Sequence, residues 1–139
     1  MLRFLLIPIF VLIAGCTQLP PSPQETQAKK FETVPGKAVI YIARGYPDFY
    51  DGHGSLALDD SIMVTMFAGN FYRWEVDPGT HLIAGTAQDV SRVTLNAEAG
   101  KIYFVQHRVT GFRGSTWGGY LEILPERDGR MLVSRATLL

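Results

Sequence analysis

From Lys37 onward the sequence consists of short apolar runs interrupted by glycine, asparagine, aspartate and proline every ~8–12 residues. This punctuation is typical of an all-β domain, and this part of the chain has no helical stripe of useful length. We expect an antiparallel two-sheet β-sandwich of about eight or nine short strands, in preference to a small barrel. The predicted strands are 37–44, 55–59, 62–67, 71–76, 81–86, 92–97, 101–109, 119–124 and 131–136.

Two of these strands indicate which faces are buried. Residues 37–44 are apolar on both faces at first and rich in β-branched and aromatic side chains, which suits a central strand. In residues 71–76, Tyr72, Trp74 and Val76 alternate with a second set that contains two charged residues. Successive side chains of a strand point to opposite faces, so we expect the first set to face the core.

Turn residues predict where the chain reverses. Ala68-Gly69-Asn70 and the Ala-Gly pair at 99–100 are hairpin signals. In residues 77–80 a proline, whose φ lies near −65°, precedes a glycine, which tolerates positive φ, so a tight turn is expected. Aspartate-rich turns are predicted at 59–61 and at Asp128-Gly129.

The N-terminus carries a separate signal. Residues 4–15 contain no charge, follow the single positive charge of Arg3 and are interrupted by Pro8, which is the pattern of a secretory signal peptide. The stretch is too short to span a bilayer, which needs ~20 apolar residues. It ends in Leu-Ile-Ala-Gly-Cys at 12–16, which resembles the lipobox of bacterial lipoproteins. The resemblance implies cleavage before Cys16 and acylation of its thiol, with palmitate as a typical acyl chain.

Cys16 is the chain's one cysteine, so no internal disulfide is expected. A thioether to lipid would also remove a free thiol from an oxidising compartment. The chain is therefore divided into a signal peptide at 1–15, a lipidated N-terminus with a proline-rich flexible tether at 16–36, and a β-sandwich domain at 37–139. Phe31 either docks on the domain or stays loose. Thr17 stands where an aspartate commonly retains lipoproteins at the inner membrane, so the periplasmic face of the outer membrane is favoured.

Charge and motifs exclude several functions. The 13 basic and 13 acidic residues balance, which argues against nucleic-acid binding. His53, His81 and His107 lack a short ligand spacing and the aspartates lack calcium-loop spacing, so no metal is predicted. His81, in a turn, and His107, on a strand face with apolar neighbours, are expected to be structural. The glycine spacing at 52–57 lacks the βαβ unit of a dinucleotide site, so no cofactor is predicted.

Several segments together are similar to a known family. They are Val-Pro-Gly-Lys-Ala at 34–38 with the strand after it, 69–72, 75–81 and 99–105. They resemble domain-of-unknown-function family 2846, a family of bacterial lipoproteins. This resemblance implies a lipobox, a short tether and a β-sandwich-like domain, and it implies no catalytic residues. The family's usual Asp-Gly turn after the second strand is Asp59-Asp60 here.

Two glycine-rich segments hold the candidate binding residues. Aromatic and basic side chains on loops are common interface anchors, and aromatic rings also stack on sugars. The alternative is that these rings fold inward and cover the ends of the sandwich. The expected function is a non-enzymatic protein-interaction or envelope-assembly module, and the alternative is a module that binds glycan, peptidoglycan or a small ligand. A small hydrolase built on His53 and Ser55 is a third hypothesis. The candidate loop residues are Tyr46, Phe49, Tyr50 and His53 in the first segment, and Phe112, Arg113, Trp117 and Tyr120 in the second.

Overall fold

The computed structural model describes residues 20–49, 52–86, 89–112 and 115–139, and of residues 115–117 it describes the backbone alone. The predicted signal peptide and Cys16 lie outside these residues. The elements are α1 Pro23–Ala28, β1 Ala38–Ala43, β2 Gly54–Leu58, β3 Ile62–Met66, β4 Asn70–Val76, β5 Gly79–Gly85, β6 Arg92–Ala97, β7 Ile102–Phe112, β8 Ser115–Leu124, α2 Glu126–Ser134 and β9 Thr137–Leu138.

The strands form a sandwich-like pair of sheets. Sheet A has the order β8-β7-β1-β4-β9, and sheet B has the order β3-β2-β5-β6. The prediction of a wholly antiparallel sandwich is wrong, because β1 pairs with β7 in parallel and β4 pairs with β9 in parallel. The first eight predicted strands are confirmed, with small differences at their ends.

The central strands of sheet A are buried on both faces. One face packs on sheet B through side chains that include Ile40, Trp74 and Val105. The other face carries Tyr41 and Phe104 and is covered by the helices and the segment before β1. All six residues of β1 are buried, which confirms that it is a central strand.

The β4 side chains follow the predicted alternation, but both sets are involved in packing. Trp74 and Val76 lie in the core between the sheets, with Tyr72 packed against it. Phe71, from the opposite set, is fully buried in the second core on the outer face of sheet A.

The predicted strand at 131–136 is wrong, because residues 126–134 form α2 and β9 has just two residues. The predicted turn at Asp128-Gly129 is also wrong, because Gly129 lies inside the helix, where it allows α2 to approach β7 closely. A Cβ on Gly129 would overlap Cβ and Cγ of Phe104. Positions 129, 132 and 133 follow helical spacing toward the sheet, but the glycine among them weakens the apolar signal.

Part of the predicted tether also differs from the expectation. Residues 23–28 form α1, which is capped by the Ser22 hydroxyl accepting from the Glu25 N–H at 3.0 Å. The Tyr41 hydroxyl donates to the Ala28 carbonyl at 2.6 Å, and the Phe31 ring packs 5.3 Å from the Tyr41 ring. Residues 22–36 therefore belong to the folded unit, and Phe31 docks on it.

Three predicted reversals connect the two sheets instead of closing hairpins. The turns between β3 and β4, between β4 and β5, and between β6 and β7 each lead from one sheet to the other. A turn sequence indicates that the chain reverses, but it does not indicate which sheet the next strand joins. The β2–β3 turn is a true hairpin, in which Asp59 and Asp60 take the positive φ values of 48° and 53°.

Neither α1 nor α2 is long and apolar enough to cross a membrane.

We expect Gly129→Ala to destabilise the domain by roughly 1–3 kcal/mol, because the added methyl group overpacks the contact with Phe104. Urea unfolding measures the loss. Arg127→Ala, an exposed position on the same helix, is the matched control and should change stability by less than about 0.5 kcal/mol. Equal stabilities of the two variants would contradict the packing of α2 on β7.

Candidate functional site

The two predicted aromatic segments lie at the same end of the sandwich. Since β1 and β7 are parallel neighbours, the chain leaves both strands in the same direction. Asp48 Oδ2 accepts from the Val109 N–H at 3.1 Å, and the Arg108 guanidinium lies 5.5 Å from the centre of the Phe49 ring. We call this region the loop end, and its described residues are 44–49, 52–53, 67–69, 89–91 and 110–112.

The predicted loop residues that the structure describes with their side chains are all exposed. Tyr50 and Arg113 lie outside the described residues, as does the side chain of Trp117. Tyr120 faces Arg108 across the β7–β8 pair. The exposed residues are Tyr46, Phe49, His53, Phe112 and Tyr120.

A cleft opens between α2 and the outer face of sheet A beside Tyr46. Its volume is about 270 Å³. We call it the α2 cleft. A second hollow of about 250 Å³ shares Gly45, Gln106 and Arg108 with it and reaches Phe49. The side chains that line the α2 cleft include Tyr46, Gln106, Arg108, Met131, Leu132 and Arg135.

The α2 cleft carries positive charge that the described residues do not neutralise. Neither Arg108 nor Arg135 makes an ion pair with a residue that the structure describes. Asp128 also lines the cleft, but its carboxylate accepts from Arg127 at 3.0 Å. Met131 and Leu132 supply an apolar wall, so the α2 cleft suits a group that is apolar in one part and anionic in another.

A buried ion pair holds the first loop. Arg44, fully buried at the end of β1, donates from Nε to Asp48 Oδ2 at 2.9 Å and from an Nη to the carbonyls of Gly52 and Met66. Asp48 also accepts from the N–H of Phe49 and from that of Val109. These hydrogen bonds join the loop after β1 to β3 and β7, so the exposed Tyr46 and Phe49 rings project from a loop that is held in place.

A second buried pair holds the connection between β5 and β6. His107 Nε2 lies 2.9 Å from Asp89 Oδ2, and both side chains are almost fully buried. Asp89 Oδ1 accepts from the Ser91 N–H at 2.9 Å and from the Ser91 hydroxyl at 2.5 Å. Burial raises the pKa of the Asp89 carboxyl, but the hydrogen bonds from His107 and Ser91 outweigh this, so its pKa lies below its ordinary value.

Three glycines make room for this pair. A Cβ on Gly85 or Gly119 would overlap the Asp89 carboxylate, and one on Gly54 would overlap the His107 ring. Because Gly85 lies in sheet B and Gly119 in sheet A, Asp89 is enclosed between the sheets. The Gly54 of the apparent dinucleotide spacing thus has a packing role.

The described hydrogen bonds of Ser55 and Ser91 do not pair either hydroxyl with a histidine. The Ser91 hydroxyl donates to Asp89 and not to His107, whose Nδ1 is buried without a described hydrogen-bond partner. The Ser55 hydroxyl pairs with that of Thr65 at 3.2 Å. His81 is structural as predicted: its ring nitrogens lie 2.7 Å from Asp59 Oδ2 and 2.8 Å from the Asp77 carbonyl.

The described residues contain no group of three or more His, Cys, Asp or Glu placed to hold a metal ion. Comparison of the chain with known protein families, with curated proteins and with solved structures finds no match in any of the three. The function is therefore inferred from the loop end and the α2 cleft themselves.

The sequence identifies the aromatic loop residues as candidates, but it leaves their exposure open and does not identify the residues that support them. Arg44 directly follows an apolar central strand, and Asp48 comes four residues later, so their pairing had a local signal. The pairing of Asp89 with His107 has no local sequence signal, because it depends on which strands become neighbours. Met131 and Arg135 were assigned to a strand, so their place on a cleft wall was not predicted.

We expect Asp89→Asn to destabilise the domain by roughly 2 kcal/mol near neutral pH, because an amide cannot accept from all three donors around Asp89. A carboxyl with a lowered pKa stabilises the fold above its unfolded-state value of about 3.9, and this contribution is lost as the pH falls through the folded-state value. Urea unfolding across acidic and neutral pH should therefore show the two stabilities converging in acid.

Asp60→Asn, an exposed change in the β2–β3 turn, is the matched control for this series and should show no such convergence. An Asp89→Asn variant as stable as the parent at neutral pH would contradict the role given to the buried pair.

Proposed function

We propose that the chain is a lipid-anchored, non-enzymatic lipoprotein of the bacterial envelope, related to domain-of-unknown-function family 2846. In this proposal its β domain is a protein-interaction or envelope-assembly module. The observation that carries the proposal is the meeting of the two aromatic segments at one end of the sandwich, beside the α2 cleft.

The α2 cleft favours a partner's chain segment as the ligand. Met131 and Leu132 offer an apolar wall to a side chain, and Arg108 and Arg135 offer donors to a carboxylate of the same segment. The Arg44–Asp48 pair holds the adjoining loop before any partner arrives, which lowers the ordering cost of binding. Such a preformed site suits recognition without chemistry.

A glycan, peptidoglycan fragment or small ligand is the second candidate. It is supported by the volume of the α2 cleft, about 270 Å³, and by the exposed Tyr46 ring on its wall. An aromatic face next to arginine and glutamine side chains is suited to a sugar ring that carries an acidic group.

The proposed location follows from the N-terminal segment. Acyl chains on Cys16 would anchor the protein, since two or three chains hold stably where one is marginal. Thr17 after the acylated cysteine favours the periplasmic face of the outer membrane. The proposal includes no nucleic acid, metal or cofactor.

We expect Cys16→Ser to abolish acylation and leave an uncleaved precursor, because the thiol is the proposed acceptor of lipid. Metabolic labelling with palmitate, followed by isolation of the protein, measures this. The parent chain should be labelled and the variant should not. Palmitate incorporated by Cys16→Ser would contradict the proposed anchor.

We expect a photo-crosslinking amino acid at Met131 or Tyr46 to capture a reproducible protein partner in intact cells, because both residues line the α2 cleft. Met63, an exposed residue on β3 in sheet B, is the matched control and should not capture that partner. Adducts with glycan strands would support the second candidate instead. The same adducts from Met63, or none from the cleft positions, would contradict a function at this site.

A further inference from the structure

Four large apolar side chains are exposed at the loop end. Phe49 is 68% exposed, Phe67 50%, Val90 79% and Phe112 55%. They come from four different parts of the chain: the loop after β1, the turn after β3, the β5–β6 connection and the end of β7. We call these four residues the apolar rim. Clustered exposed apolar side chains mark a surface that meets something other than water.

The contacts of the loop end hold the apolar rim together. The Phe67 ring lies 6.2 Å from the His53 ring, and the Gly69 N–H donates to the Arg44 carbonyl at 3.1 Å. Val90 directly follows Asp89, which is bound to His107 between the sheets. The four residues of the apolar rim therefore lie at one end of the sandwich, on segments that these contacts join to the sheets.

The N-terminal segment approaches the domain on this side. Residues 20–22 and 135–137 line one cavity of about 640 Å³. Arg135 also lines the α2 cleft, next to Tyr46. Ala136 also lines both cavities, so the described chain begins on the side of the domain that carries the α2 cleft.

This position limits where the lipid can be. Cys16 precedes Pro20 by four residues, and four residues span at most ~14 Å even when fully extended. A tether that remained solvated up to residue 36 would instead reach ~70 Å and leave the domain free to turn. Because residues 22–36 pack on sheet A, that freedom is removed.

We propose that the loop end faces the lipid bilayer, with the apolar rim resting at the level of the lipid headgroups. Phenylalanine side chains such as Phe49, Phe67 and Phe112 favour the boundary between lipid headgroups and acyl chains. The occupant of the apolar rim is thus the membrane itself, while the α2 cleft opens beside it. This orientation rests on the proposed acylation of Cys16.

The test uses the full acylated chain in vesicles of phosphatidylethanolamine and phosphatidylglycerol. Since Cys16 is the one cysteine and would be blocked by lipid, a new cysteine can be labelled alone. Val90→Cys carries an environment-sensitive fluorophore on the apolar rim, and Ala99→Cys carries it on the opposite end of the sandwich. Phe112→Cys provides a second label on the apolar rim.

On the vesicles, we expect the emission of the labels at 90 and 112 to shift to shorter wavelength. When the vesicles contain nitroxide-labelled lipids, we expect this emission to be quenched. The label at 99 should keep its emission. Labels at 90 and 112 that stay in water, on a chain whose intact mass shows acylated Cys16, overturn the orientation and leave the anchor standing. An intact mass without acyl groups overturns the anchor and the orientation together.

Discussion

The burial of β1 on both faces is the constraint on which the rest of the structure depends. Its six residues lie between β4 and β7, and each is at most 1% exposed to solvent. Each face of such a strand needs a cover, so sheet B covers one face and the helices cover the other. This explains why the segment before β1 is drawn onto the domain, where Tyr41 finds a hydrogen-bond acceptor in the Ala28 carbonyl.

Two buried carboxylates hold the loops of the loop end against the strands. Asp48 joins Arg44 to β7, and Asp89 joins the β5–β6 connection to His107. Buried charges are costly to leave unpaired, so neither loop can leave its partner without a large loss of stability. The exposed aromatic side chains of these loops are therefore held at fixed positions, although few of the rings themselves pack against the domain.

Much of the fold could be predicted because an alternating pattern reports directly on strands. The helix α2 could not, since Gly129 faces the sheet and a glycine adds nothing to an apolar stripe. The two-sheet arrangement was predictable, but the parallel pairing of β1 with β7 was not, because no local signal states which distant strand becomes a neighbour. For the same reason the Asp89–His107 pair could not be predicted, and the aromatic loop residues could be identified without deciding whether they are exposed.

The parallel pairing of β1 with β7 also affects how the chain reaches its fold. Val39 pairs with Ile102, and all of sheet B lies in the sequence between them. Contacts between residues so distant along the chain form late, because a long loop must close before they gain any energy. Until β7 arrives, one edge of the most apolar strand is unpaired and can join another chain. A newly synthesised copy is therefore most prone to aggregate in this interval, and it needs protection there until residues 102–112 have emerged.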